Sequence, residues 1–183
     1  MSIIYISVIF STAIWLYIIY RNDRFEPEPV KAVILVGITG GLLSSIPAAL
    51  LNTAAAELMG ITKLLFSGGE TLTRADSLIF SLFVGFNEEI WKCAVSVFIL
   101  KRLRDFNEPI DALIYSMTIS LGFAAFENLE YTMMGGVGLL VIRSFTAVPL
   151  HVGLAAVWGL GIAKGKYFNS GRYFMPVLPY LIA

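Results

Sequence analysis

Long hydrophobic stretches fill most of this sequence, and they restrict what it can fold into. The first of them, residues 2–20, contains nineteen residues and no charge. A helix of that length crosses about 30 Å of hydrocarbon. Within lipid, only helices and closed barrels satisfy every backbone polar group. We therefore predict an all-α, polytopic transmembrane helix bundle.

The composition also favours a membrane protein. Charged residues make up 14% of the 183 residues and apolar residues 57%, whereas a soluble domain carries about 25% charged residues. The net charge of zero gives no reason to expect a nucleic-acid partner, and a single cysteine excludes an intrachain disulfide. A cleaved signal peptide is the alternative interpretation of residues 2–20, but no basic segment precedes them and no cleavage site follows.

We predict one transmembrane domain over residues 1–183, with five full spans and the start of another. The last hydrophobic run begins at about residue 174 and stops before it could cross a membrane, which favours a C-terminal truncation over a short interfacial stub. The full spans are predicted at about residues 2–20, 30–56, 76–100, 110–134 and 137–163.

Basic residues alternate between the connecting loops, and this pattern predicts the orientation. The second loop, residues 57–75, contains only Lys63 and Arg74, whereas the first, third and fifth loops are richer in Lys and Arg. By the positive-inside rule the richer loops are cytoplasmic. We therefore predict a multi-pass protein of the cell membrane with an extracytoplasmic N-terminus.

Three predicted spans carry ionisable residues near their middle. A charge near the bilayer centre costs from about 3 kcal/mol upward, so such residues usually face the bundle interior or a wet cavity and mark a functional site. The rise per residue places them at a similar depth, at or above the midplane. They are Glu88, Glu89 and Lys92 in the third span, Glu127 and Glu130 beside Asn128 in the fourth, and Arg143 and His151 in the fifth.

The third span contains the strongest local signal. Glu88 and Glu89 are adjacent, so on a helix they point about 100° apart, and one can meet water or substrate while the other binds a neighbour. Lys92 lies one turn further on and can keep one of them ionised, and an ionised Glu is a competent general base. The alternative is an inert ion pair of Glu88 with Lys92. The spacing does not decide which glutamate is the base.

The next two spans add a carboxylate, an amide and the only histidine of the chain. Glu127 and Asn128 follow Phe123 by one turn, and an amide can stabilise an oxyanion or simply join two helices. His151 follows Pro149, which can kink the span. A lone His is more often a core residue, but its depth beside the glutamates favours a role at the site. His with two glutamates is a metal set by ligand type, yet HExxH is absent, so we predict no metal and no other cofactor.

This ordered set resembles the PrsW family of bacterial intramembrane proteases, within the larger superfamily of CAAX-processing and bacteriocin-immunity-type membrane proteases. The resemblance extends from the first loop to about Gly165. Family members usually continue into a further helix with another His. The motifs are EExxK, matched by Glu88, Glu89 and Lys92, then FxxxE followed by Asn, matched by Phe123, Glu127 and Asn128, and a His soon after a Pro, matched by His151.

The resemblance implies a glutamic-type intramembrane endopeptidase, with a metalloprotease as the open alternative. Its substrate in the lipid bilayer would be a single-span membrane protein such as an anti-sigma factor, cut on the extracytoplasmic side. Glu88 or Glu89 would take a proton from water. His151 and Asn128 would polarise the scissile carbonyl, and Glu127 would position water or protonate the leaving amine.

Two functions of other classes stay open at this stage. The buried Glu and His residues would also serve as a proton relay in a transporter, although the spans show no inverted repeat. A non-catalytic membrane binding protein would use the same helices without hydrolysis. A cleavage assay separates these three hypotheses.

Overall fold

The computed structural model describes residues 2–23, 26–62, 73–104, 106–168 and 177. In these ranges the chain forms helices and no strand, and three segments are long and apolar enough to cross a membrane. The protein is therefore an all-α transmembrane bundle, as predicted. The predicted helix from residue 174 lies outside the described residues, apart from Val177. The helices are α1 (Ser2–Tyr20), α2 (Val30–Leu58), α3 (Arg74–Leu100), α4 (Pro109–Phe145) and α5 (Ala147–Tyr167).

Two of these helices begin at clear capping signals. Thr73 precedes α3, and its Oγ1 accepts a hydrogen bond from the Asp76 backbone N–H at 3.1 Å. At the start of α4, Asp111 Oδ2 accepts the backbone N–H of Glu108 at 2.6 Å, and Pro109 occupies the first turn. Such caps satisfy backbone donors that have no partner inside the helix.

The chain reverses direction inside α4, at Gly136. This residue has φ 74° and ψ −178°, a conformation that only glycine adopts without strain. Arg143 Nε donates to Asn128 Oδ1 at 2.7 Å across fifteen residues of chain, whereas a straight helix would separate those residues by about 22 Å. Residues 137–145 therefore fold back beside the end of the first half of α4.

A second irregularity, at Thr146, separates α4 from α5. Thr146 has φ −118° and ψ −68°, and it lies one turn before Pro149, whose ring lacks an N–H and displaces the carbonyl four residues earlier. The span predicted over 137–163 is thus two helical pieces, both antiparallel to the first half of α4. Ser120 Oγ donates to the His151 carbonyl at 2.9 Å, and this bond fixes the register of α5 against the first half of α4.

Small residues bring α2 and α4 into close contact. A Cβ atom on Gly37 would lie 2.8 Å from Thr118 Cγ2, and one on Gly41 would meet the backbone of Gly122. Glycine at such crossings lets helix backbones approach, which favours packing of helices in lipid. This crossing holds α2, and the polar side chains further along it, against the site helices.

The first and third loops lie at the same end of the bundle as the end of α5. Tyr115 O–H donates to Glu28 Oε2 at 2.6 Å, and Asn107 Nδ2 donates to Glu26 at 3.4 Å. Lys166 Nζ donates to the Phe106 carbonyl. The described Lys and Arg side chains of these loops therefore share one end, and the turn at Gly136 lies at the other.

Candidate active site

The adjacent glutamates of α3 have different partners. Glu88 Oε1 accepts a hydrogen bond from Asn52 Nδ2 of α2 at 3.2 Å. Glu89 Oε2 accepts one from Trp158 Nε1 of α5 at 2.9 Å, and its Oε1 accepts one from Lys92. The rotation of about 100° between neighbouring helical residues accounts for this division.

Lys92 is the charged centre of the buried network. Its side chain has 0% exposure. Besides Glu89, its Nζ contacts His151 Nδ1 at 2.8 Å and lies 4.6 Å from the centre of the Phe123 ring. In the described part of the chain the ion pair is with Glu89 at i−3, and not with Glu88 at i−4. The EExxK spacing allowed both pairings.

His151 joins the groups of α3 to those of α4. Its Nε2 lies 2.9 Å from Glu127 Oε2, and its Nδ1 lies 3.8 Å from Glu89 Oε1. An ammonium group only donates, so Nδ1 accepts from Lys92 and the ring proton sits on Nε2, where it is donated to Glu127. The hydrogen-bond network thus assigns the tautomer.

Arg143 holds the other side of Glu127. Its Nη2 donates to Glu127 Oε2 at 3.1 Å, its Nε donates to Asn128 Oδ1, and its guanidinium lies 4.0 Å from the centre of the Tyr131 ring. Asn128 is buried, and its carbonyl oxygen is committed to Arg143. We therefore interpret Asn128 as a support for Arg143, behind Glu127.

A cavity of about 510 Å³ opens between α2, α3 and α4 and reaches two of these carboxylates. Ligand sites commonly have about 300–1,000 Å³. Two more cavities, of about 380 and 310 Å³, flank α1, are apolar, and include none of the predicted site residues. The residues from the sequence prediction that line the first cavity are Glu88, Glu127 and Phe123, together with Glu130.

Three side chains of the site match a metal-binding group. Donor atoms of Glu88, Glu127 and His151 all lie within 4.8 Å of one another. Carboxylate and imidazole are zinc ligands, and catalytic zinc sites use three protein ligands with an open position for water. No other such group was found among the residues that the structure describes. The donor set therefore fits a divalent metal ion by type and by spacing, and His151 would bind the ion through a ring nitrogen that has released its proton.

Four residues of the site received no role from the sequence. Trp158 follows His151 by seven residues, two turns along the same face of α5, and this spacing was an available signal. Arg143 stood out as an intramembrane charge without a partner. Asn52 and Asn87 are uncharged amides in apolar helices, and their partners lie 35 and 36 residues away in the chain.

Comparison with known proteins gives relatives that share one description. Protease PrsW of Geobacillus kaustophilus is 28% identical over 157 residues, covering 85% of this chain and 64% of that protein. Protease PrsW of Clostridioides difficile is 29% identical over 168 residues, covering 90% and 66%. Protease PrsW of Bacillus subtilis is 25% identical over 148 residues, covering 81% and 62%. The chain thus spans slightly less than two thirds of the length of these relatives.

No solved structure matches the chain. A family model does, and its description is PrsW family intramembrane metalloprotease. The matched residues, 28–183, include all of α2, α3, α4 and α5, and with them the site described above. By this match, the chain belongs to the PrsW family of intramembrane metalloproteases.

Proposed function

We propose that this chain hydrolyses a peptide bond of a membrane-protein substrate within or beside the bilayer. The observation that carries the proposal is the convergence of Glu88, Glu127 and His151, from three different helices, beside a cavity large enough for an extended peptide segment. A purely structural ion pair would not need a cavity beside it. Membership in a protease family supports the same conclusion.

Glu88 is the carboxylate that we assign to water activation. It lines the cavity, whereas Glu89 is occupied by Lys92 and Trp158. In the proposed reaction Glu88 takes a proton from water, and the oxygen of that water attacks the carbonyl carbon of the scissile bond. The C–N bond then breaks, and the proton passes to the leaving amine. The products are a new carboxyl group and a new amino group.

The neighbours of Glu88 supply charge and orientation. His151 carries its proton on Nε2, and this N–H can turn from Glu127 to the developing oxyanion as a hydrogen-bond donor. Glu127 and Lys92 hold the two ring nitrogens of His151 from opposite sides. Glu127 is in turn held by Arg143. The imidazole therefore has a fixed orientation before substrate arrives, which favours electrostatic stabilisation of the transition state.

A metal-dependent form of this mechanism is favoured by two observations. The donor atoms of Glu88, Glu127 and His151 are close enough to hold one ion, and the family description is that of a metalloprotease. When bound, a zinc ion would polarise the scissile carbonyl and make a water molecule more acidic. In this form Glu88 would be a ligand of the ion, and not the free base of the metal-free form. The metal-free, glutamate-activated mechanism expected from the sequence is the alternative.

Chelation separates the two forms. We expect a strong zinc chelator to abolish cleavage of a single-span membrane substrate in proteoliposomes, and added zinc to restore it, because three protein ligands hold a catalytic zinc. Elemental analysis of the purified protein should give about one zinc per chain, and Glu127→Ala should lose it. Full cleavage by metal-free protein would instead assign water activation to Glu88 alone.

We further propose that the substrate is a single-span membrane protein of the anti-sigma-factor type, cut on the extracytoplasmic side. The cavity supports this side. It is lined by the second half of α2, the beginning of α3 and residues just before Gly136, which lie away from the loops rich in Lys and Arg. By the positive-inside rule those basic loops are cytoplasmic.

This orientation predicts the labelling of single cysteines. We expect Met59→Cys, near the end of α2, to react with a membrane-impermeant maleimide in intact cells, and Asn22→Cys, after α1, to react only after permeabilisation. Both positions are exposed, and the native Cys93 is buried with 1% exposure, so its background should be small. Labelling of Asn22→Cys in intact cells, without labelling of Met59→Cys, would show the opposite orientation.

A further inference from the structure

Glu88 is held from α2 by a short chain of amide side chains. Asn87 Nδ2 donates to the Ala48 carbonyl at 2.9 Å and to Asn52 Oδ1 at 2.8 Å. Asn52 Nδ2 then donates to Glu88 Oε1 at 3.2 Å. The chain of hydrogen bonds therefore runs from a backbone carbonyl of α2 to a carboxylate of α3.

The donor and acceptor of each of these three hydrogen bonds follow from the first bond, between Asn87 and the Ala48 carbonyl. The Ala48 carbonyl only accepts, so the end of Asn87 that meets it must be the NH₂ group. The same NH₂ group meets Asn52, which must present its carbonyl oxygen there. The NH₂ group of Asn52 is then the end that faces Glu88. No alternative flip of either amide keeps all three bonds.

The orientation of the Glu88 carboxylate depends on the hydrogen bond from Asn52 more than the orientation of Glu89 depends on any one of its partners. Among the described residues, Asn52 is the one that donates a hydrogen bond to the Glu88 carboxylate, whereas Glu89 has donors on both α3 and α5. Glu88 also borders the cavity, so no packed side chain closes that side. A glutamate has three side-chain torsions, and the Asn52 bond restricts them.

We propose that Asn52 is a positioning residue of the protease site: its amide orients the Glu88 carboxylate toward Glu127 and His151. The inference rests on the proposed function, because it assigns Asn52 to the site through Glu88. Partners that orient a ligand or a catalytic carboxylate typically change metal affinity or activity by about 10–100-fold. Asn87 acts one step further back, by fixing the orientation of Asn52.

The test is a double-mutant cycle of Asn52→Leu with Glu88→Ala in the full chain. We expect Asn52→Leu to lower kcat for a single-span membrane substrate about 10–100-fold with little change in KM, and to weaken zinc binding by a similar factor. In the Glu88→Ala background, Asn52→Leu should add little further loss, because the residue acts through Glu88. Asn52→Asp, which keeps the bond to Asn87 but turns an acceptor toward Glu88, should be impaired as well.

Thr39→Val is the matched control on the same helix. Thr39 is exposed, its hydroxyl donates to the Leu35 carbonyl within α2, and it is not among the residues that line the cavity. We expect wild-type kcat and zinc affinity for this variant. The unfolding midpoint is also measured for the wild type, both single variants and the double variant. These four values give the coupling of Asn52 with Glu88 in the absence of substrate and metal.

The outcomes separate the two hypotheses. Wild-type kcat and zinc affinity for Asn52→Leu, while Glu88→Ala is inactive, would overturn the role of Asn52 and leave the protease site intact. Additive effects of the two changes in kcat, zinc affinity and unfolding midpoint would also overturn it. Full activity of Glu88→Ala would refute the role of Glu88 and with it that of Asn52. Absence of cleavage by the wild-type chain would refute the proposed function itself, and the coupling in the unfolding midpoints would then decide whether Asn52 holds Glu88.

Discussion

Glu88→Gln is expected to lower the cleavage rate by at least about 100-fold, the range for loss of a general acid–base group. The amide has the size of the carboxylate and still accepts the hydrogen bond of Asn52, so the variant should fold. It cannot take a proton from water, and it is a poor metal ligand. The measurement is kcat in proteoliposomes, beside the helix content and unfolding midpoint of the same preparation.

Two further substitutions, one of them a control, are measured beside Glu88→Gln. Glu57→Gln on α2 is the control, because Glu57 is exposed and is not one of the residues that line the cavity, and it should keep the wild-type rate. Glu89→Gln should also lose at least about 100-fold, through the altered charge around Lys92 and His151. Wild-type rates for both Glu88→Gln and Glu89→Gln would contradict a catalytic role for this pair.

The class of the protein and the general location of the site are visible in the sequence. Charges inside apolar stretches are costly, so Glu88, Glu127 and His151 stand out without any structure, and helix periodicity places them at one depth. Residues 2–20 alone predict a helix that crosses the membrane. Local composition and regular helix geometry suffice for these predictions, and the predicted fold class is confirmed.

The pairings within the site are not visible in the sequence, because they depend on how helices rotate against one another. Lys92 is one turn from both glutamates, and only the position of Trp158 and His151 on α5 decides in favour of Glu89. Asn52 is a further example. Its bond to Glu88 crosses 36 residues of chain, and a lone amide in an apolar helix gives no pattern to follow.

Helix boundaries were also set by single residues. The sequence predicts one span over 137–163, whereas the structure divides it at Thr146 and begins it from the turn at Gly136. Pro149 explains the break at Thr146, because its ring lacks an N–H. The turn depends on a positive φ, which glycine permits but does not require, so composition alone could not place it among the neighbouring glycines.

Lys92→Met is expected to be the most destabilising of the substitutions considered. Lys92 has 0% exposure, and its ammonium contacts Glu89, His151 Nδ1 and the face of Phe123. Removing it leaves the Glu89 carboxylate buried beside a neutral side chain, and breaking a buried pair in this way costs about 3–5 kcal/mol. The loss should appear as a lower unfolding midpoint in detergent and as lower expression.

A double variant tests whether the unpaired Glu89 carboxylate causes this loss of stability. Lys92→Met with Glu89→Gln removes both charges, so it should unfold at a higher midpoint than Lys92→Met alone, because no uncompensated charge remains. Lys31→Met is the control, since Lys31 is exposed at the start of α2. A wild-type midpoint for Lys92→Met would show that the ion pair does not stabilise the bundle. A double variant no more stable than Lys92→Met would show that packing, and not the unpaired Glu89 charge, causes the loss.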